Sequence, residues 1–72
     1  MKEIVITTEY IKLQDLLKFS SLVSTGGEAK LVILDGAVTV NGTVCTQRGK
    51  KIRPGDTVVF QGETLNVRYA DQ

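Results

Sequence analysis

The sequence predicts a single α+β domain over residues 1–72, with two short helices packed on a small antiparallel sheet. Three observations lead there. Leu13, Leu16 and Leu17 fall at the i, i+3, i+4 spacing of an amphipathic helix. Thr25-Gly26-Gly27-Glu28 has the form of a capping box opening a second helix. Val38-Thr39-Val40-Asn41-Gly42-Thr43-Val44 then sets an Asn-Gly pair between β-branched residues, the strongest short-range hairpin signal. A chain of 72 residues buries only about 60% of its unfolded surface, so its core is just sufficient.

In order, Lys2 to Thr8 is β-branched and reads as a strand. Ile11 to Phe19 reads as the first helix, with Lys12, Asp15 and Lys18 turned outward. Ser20 to Ser24 is a polar break that tucks Leu22 and Val23 inward. In the second helix Ala29, Val32 and Ile33 form the buried stripe, and Gly36 sits where a left-handed C-terminal cap belongs. A two-residue hairpin loop sets Val40 opposite Thr43 and Thr39 opposite Val44, with Val38 facing Cys45. Gln47 to Arg53 reads as a polar, basic connection. Pro54-Gly55 supplies the centre of a type II turn. Val58 to Phe60 is a strand, Gly62-Glu63 turns the chain, and Leu65, Val67 and Tyr69 alternate with Asn66 and Arg68 in a final strand.

Charge is the main pointer to function. Gly36 to Pro54 holds Arg48, Lys50, Lys51 and Arg53 and no acidic residue, a local +4 against a net +1 for the whole chain. Positive charge concentrated on one hairpin and the loop after it suits a polyanion. A solvated loop explains such a run equally, but no acidic neighbour in the stretch neutralises it, and Lys12 and Lys30 on the two helices extend it. Histidine is absent and Cys45 is the single cysteine, so the usual zinc sets, an internal disulfide and the commonest general base are all missing. The expectation is a protein that is not an enzyme and uses no metal or cofactor. No apolar run approaches the roughly 20 residues of a membrane helix, and the N-terminus lacks a signal-like apolar segment. The chain reads as cytoplasmic.

Several residues carry two readings. Asn41 makes the turn, or it also bonds a ribose or phosphate from the hairpin tip. Thr25, Gly26 and Gly27 cap a helix, or they offer backbone N–H groups to a phosphate. Cys45 is a small buried hydrophobe or a reactive thiol. Tyr10, Phe19, Phe60 and Tyr69 are too scattered in the sequence to form an aromatic stacking platform.

Four segments together resemble the S-four RNA-binding domain, the αL motif, in its small stand-alone members of the YaaA/YbcJ type. They are Lys12-Leu13-Gln14-Asp15-Leu16-Leu17, Thr25-Gly26-Gly27-Glu28-Ala29-Lys30, Gly36-Ala37-Val38-Thr39-Val40-Asn41-Gly42 and Lys51-Ile52-Arg53-Pro54-Gly55-Asp56. The likeness covers about Ile11 to Phe60. It implies a face built from two helices and the adjoining hairpin that binds structured RNA, ribosomal or transfer, with ribosomal particles as further partners. Onto matching positions it carries Lys12, Gln14, Thr25, Gly26, Gly27, Lys30, Asn41 and Thr43, followed by Arg48, Lys50 and Lys51. Where many members begin the second helix with Ser-Arg-Arg, this chain has Thr25-Gly26-Gly27. Two phosphate-gripping side chains are thereby missing, which moves the expected weight of binding onto Arg48, Lys50 and Lys51.

Two other functions fit parts of the pattern. A protein-interaction adaptor would use the basic loop to dock an acidic partner. A ubiquitin-like sulfur carrier shares the small size and turn residues, but acts through a C-terminal Gly-Gly where this sequence reads Ala70-Asp71-Gln72.

Overall fold

The computed structural model describes residues 2–70. Alternation along Lys2–Ile6 (β1) turns Ile4 and Ile6 inward and Glu3 and Val5 outward. A two-residue strand, Ile11–Lys12 (β2), runs straight into helix Leu13–Phe19 (α1), and helix Gly26–Leu34 (α2) follows. Strands Val38–Val40 (β3), Thr43–Val44 (β4), Lys51–Ile52 (β5), Thr57–Phe60 (β6) and Glu63–Tyr69 (β7) complete the order.

The main sheet has five strands in the order β1-β7-β6-β3-β4, while β2 and β5 pair separately as a two-stranded ribbon. The α+β architecture is the one expected, with one difference in strand direction. β1 lies parallel to β7, Ile4 beside Val67, so the sheet is mixed. No hairpin joins these two strands, and an alternating apolar pattern is satisfied by either direction of pairing. One face of the sheet is apolar: Val38 and Val40, Val58 and Phe60, Leu65 and Val67, Ile4 and Ile6. Leu13, Leu16 and Leu17 of α1 and Ala29 and Ile33 of α2 join those residues in a single core. The other face mixes polar residues with Val5 and Val59 and is tied by Arg68 Nε to Glu3 Oε1 at 2.8 Å and by Thr57 Oγ1 donating to Asn66 Oδ1 at 2.9 Å.

The first helix keeps its leucine stripe but starts at Leu13, two residues later than the expected Ile11. Ile11 and Lys12 are extended because they pair with Ile52 and Lys51. No side chain caps α1. Instead the Leu13 and Gln14 N–H groups donate to the Lys50 and Arg48 carbonyls at 2.9 and 3.1 Å, so the loop backbone satisfies two of the free N–H groups every helix start presents. The connection Gln47 to Arg53 is therefore partly strand, and its Ile52 is fully buried.

The second helix begins as expected, with the Glu28 N–H donating to Thr25 Oγ1 at 3.1 Å. The Glu28 carboxylate reaches one residue further back than the standard box, accepting from the Ser24 N–H at 2.9 Å. At the other end Gly36 takes φ +79°. The Ala37 and Gly36 N–H groups donate to the Val32 and Ile33 carbonyls, both at 3.1 Å, which is the Schellman pattern. Asn41 and Gly42 have φ of +52° and +85° in the expected register, Val40 opposite Thr43. The last turn falls one residue early, on Gln61 and Gly62 (φ +52° and +77°), because Glu63 already pairs with Phe60.

Candidate functional site

The ribbon sets the geometry of the basic region. Ile11 and Ile52 lie opposite each other, with Ile52 in the core. Alternation then turns their neighbours to the other face. Lys12 and Lys51 are direct cross-strand partners there, and Lys51 Nζ stands 4.9 Å from the centroid of the Tyr10 ring. Arg53 Cζ is 5.7 Å from the same centroid, and its Nη1 lies 3.6 Å from Glu9 Oε1. Two like charges directly across a ribbon repel, and the ring's negative face offsets part of that repulsion.

Arg48 and Lys50 continue this surface. Their carbonyls are held by the start of α1, so the loop backbone is fixed while both residues remain exposed. Gln14 is half-buried and contributes its N–H to this junction. Next to it, a groove of about 370 Å³ is lined by Asn41, Thr43, Cys45, Gln47, Lys50 and Asp56, among others. The structure thus gathers Lys12, Gln14, Arg48, Lys50 and Lys51 around the α1 start, and Asn41, Thr43 and Lys50 line one groove.

Asn41 has a structural duty. Its Nδ2 donates to Asp56 Oδ1 at 3.0 Å and its Oδ1 accepts from the Thr57 N–H at 2.9 Å. Asp56 Oδ2 in turn accepts from the Arg53 N–H at 2.8 Å, and the Asp56 N–H closes the Pro54-Gly55 turn on the Arg53 carbonyl at 3.0 Å. One carboxylate therefore locks the hairpin tip to the turn that follows the basic strand. Cys45 is half-buried against the core, with its Sγ 3.7 Å from the Gln47 carbonyl.

Thr25, Gly26, Gly27 and Lys30 belong to α2, which packs on α1. Among the described residues no hydrogen bond or ion pair joins these four to the basic loop. Thr25 Oγ1 is engaged by the cap, and the Glu28 carboxylate already supplies negative charge at that helix start. The residues whose place at this surface the sequence did not show are Tyr10 and Asp56, while Arg53, already counted in the basic cluster, is found beside the Tyr10 ring. Tyr-Ile-Lys (10–12) and Lys-Ile-Arg (51–53) each alternate about a central isoleucine, which was the available sign of a ribbon with one polar face.

Among the described residues, no group of three or more His, Cys, Asp or Glu side chains is arranged to hold a metal ion. No described helix is long and apolar enough to cross a membrane.

A model of the S4 domain matches residues 4–68. The chain is 40% identical over 58 residues to YbcJ of Escherichia coli (strain K12), covering 81% of this chain and 83% of that one. It is 37% identical over 57 residues to RlbA of Bacillus subtilis (strain 168), named a probable ribosome maturation protein, covering 79% and 80%. The solution structure of YbcJ from E. coli, in which an αL motif involved in RNA-binding was found, matches with a TM-score of 0.73 at 35% identity over 94% of this chain and 87% of that one. A pseudouridylate synthase matches at 23% identity with a TM-score of 0.70 and shares the fold alone. This chain covers 78% of itself in that match and 24% of the synthase.

Proposed function

The chain belongs to the S4 domain family, and from that premise we propose that it is a non-enzymatic module binding structured RNA, ribosomal or transfer RNA, through the cations of the ribbon and loop. The observation that carries this is the pairing of Lys12 with Lys51 beside Lys50 and Arg48, on a backbone held rigid by the α1 start. Phosphates are recognised by such preset cations, which position a nucleic acid without reading its sequence. Thr43 and the groove at the hairpin tip offer polar partners for ribose hydroxyls. The α2 start, Thr25 to Gly27 with Lys30, contributes backbone N–H groups and one further cation at the margin.

An αL motif involved in RNA-binding in YbcJ and the ribosome maturation in RlbA's name support a cytoplasmic role in ribosome assembly or translation. With roughly four to six phosphates contacted, log affinity falls against log salt with a slope of about −3 to −5. Anisotropy titration of a labelled ribosomal RNA hairpin across salt concentrations reads this slope, and a flat response contradicts the proposal.

A protein partner is the second reading, favoured by Leu31 and Leu34, exposed at 69% and 54% on α2. Purification from native cells separates the two. Bound RNA absorbing at 260 nm supports the first, and a stoichiometric nuclease-resistant protein supports the second.

A further inference from the structure

Tyr10 is the ring that the basic surface encloses. Phe60 is in the core and Phe19 sits exposed at the end of α1, whereas Tyr10 lies within reach of both Lys51 and Arg53. Beside it opens a pocket of about 390 Å³, lined by Thr8, Glu9, Tyr10, Ile11, Lys12 and Asp15. A half-buried tyrosine, a lysine and two carboxylates lining one pocket make a combination that phosphate binding alone does not use.

Resting on the RNA-binding reading above, we infer that this pocket receives one unpaired nucleobase of the bound RNA, stacked on Tyr10. Lys51 and Arg53 meet the ring from exposed positions, so phosphates that draw these cations away release the ring's surface to a flat base. Lys12 then lies on the flank where the nucleotide's own phosphate passes. Ionised carboxylates only accept hydrogen bonds. Asp15, and Glu9 once Arg53 leaves its 3.6 Å contact for a phosphate, therefore suit an edge rich in N–H donors, guanine above all, and oppose the carbonyl-flanked edge of uracil. The preferred target is a helix carrying a single bulged guanosine, which the outer cations grip by its backbone.

Stacking on one aromatic ring strengthens binding by about 5- to 150-fold. The test uses three labelled RNA hairpins of one stem sequence: fully paired, with one bulged guanosine, and with one bulged uridine. The wild-type protein is expected to prefer the guanosine bulge to the paired stem by a factor in that range, with the uridine bulge between. Tyr10→Leu, which keeps the apolar bulk but removes the ring that also steadies Lys51 and Arg53, should erase the preference, read as the ratio of bulged to paired affinity within the same variant. Tyr10→Phe should restore it. Far-UV circular dichroism checks that each variant is folded.

A second readout exploits the absence of tryptophan and the presence of only two tyrosines. In Tyr69→Phe the remaining emission belongs to Tyr10, and the guanosine-bulged hairpin should quench it more than the paired one. Equal wild-type affinity for bulged and paired hairpins, or a preference that survives in Tyr10→Leu, overturns the base pocket and leaves the RNA-binding proposal standing. Equal binding of the two bulges overturns the role given to the carboxylates. Failure to bind any of the three hairpins overturns both proposals together.

Discussion

Replacing Asn41 tests whether the hairpin tip is a structural lock before it is anything else. Asn41→Ala removes two hydrogen bonds, to Asp56 Oδ1 at 3.0 Å and from the Thr57 N–H at 2.9 Å. Each is worth about 0.5–1.5 kcal/mol net, and the lower half of that range applies because the site is exposed. Alanine must also adopt the φ of +52° that Asn41 holds, at about 1 kcal/mol. The combined loss is about 2–3 kcal/mol. In a domain of this size that lowers Tm by roughly 10–20 °C. Asn41→Gly relieves the backbone term and loses only the hydrogen bonds, about 1–2 kcal/mol. Thermal and urea unfolding followed by circular dichroism measures both variants. An Asn41→Ala protein within about 0.5 kcal/mol of the parent, or one no less stable than Asn41→Gly, refutes the lock.

Other substitutions bear on the frame behind the site. Gly36→Ala places its Cβ at ordinary contact distance, 3.7 Å from Val44 Cγ1, so only the φ of +79° is penalised; thermal unfolding should show a loss of about 1–2 kcal/mol. Leu16→Ala empties a fully buried position on α1 and should cost about 2–5 kcal/mol. For a domain this small that amounts to most of its stability, seen as loss of the cooperative unfolding transition. Thr25→Ala breaks the 3.1 Å cap bond to the Glu28 N–H and should cost about 1 kcal/mol in the same assay.

Much of the frame was written in local chemistry. The Asn41-Gly42 turn and the Gly36 cap were legible because few residues tolerate positive φ, so their positions are informative on their own. The Thr25 box was legible for a similar reason, since side-chain oxygens before a helix have one common use. The turn at Gln61 was hidden, because glutamine carries no such preference and only the Phe60–Glu63 pairing fixes it. The parallel β1–β7 pair was hidden too, being a contact between opposite ends of the chain. The candidate site was half visible. Its cations stood out by charge, but the ribbon joining Lys12 to Lys51 spans 39 residues of sequence and drew Ile11 and Lys12 out of the expected helix into strand. The same long-range pairing brought Tyr10 among the cations; the Tyr10-Ile11-Lys12 alternation hints at one polar face but does not name the strand it pairs with.

Cations also gather at the opposite end of α1, where Lys18 occupies the last turn and Lys2 Nζ donates to the Ser20 carbonyl at 3.2 Å. That allows a comparison at constant net charge. The deciding measurement is the salt dependence of RNA affinity for Lys50→Ala with Lys51→Ala beside that for Lys2→Ala with Lys18→Ala. The first pair should weaken binding to all structured RNAs and flatten the log–log slope by about 2, while the second should leave the slope near that of the parent. Equal slopes in the two double variants would contradict a binding surface centred on the ribbon and its loop.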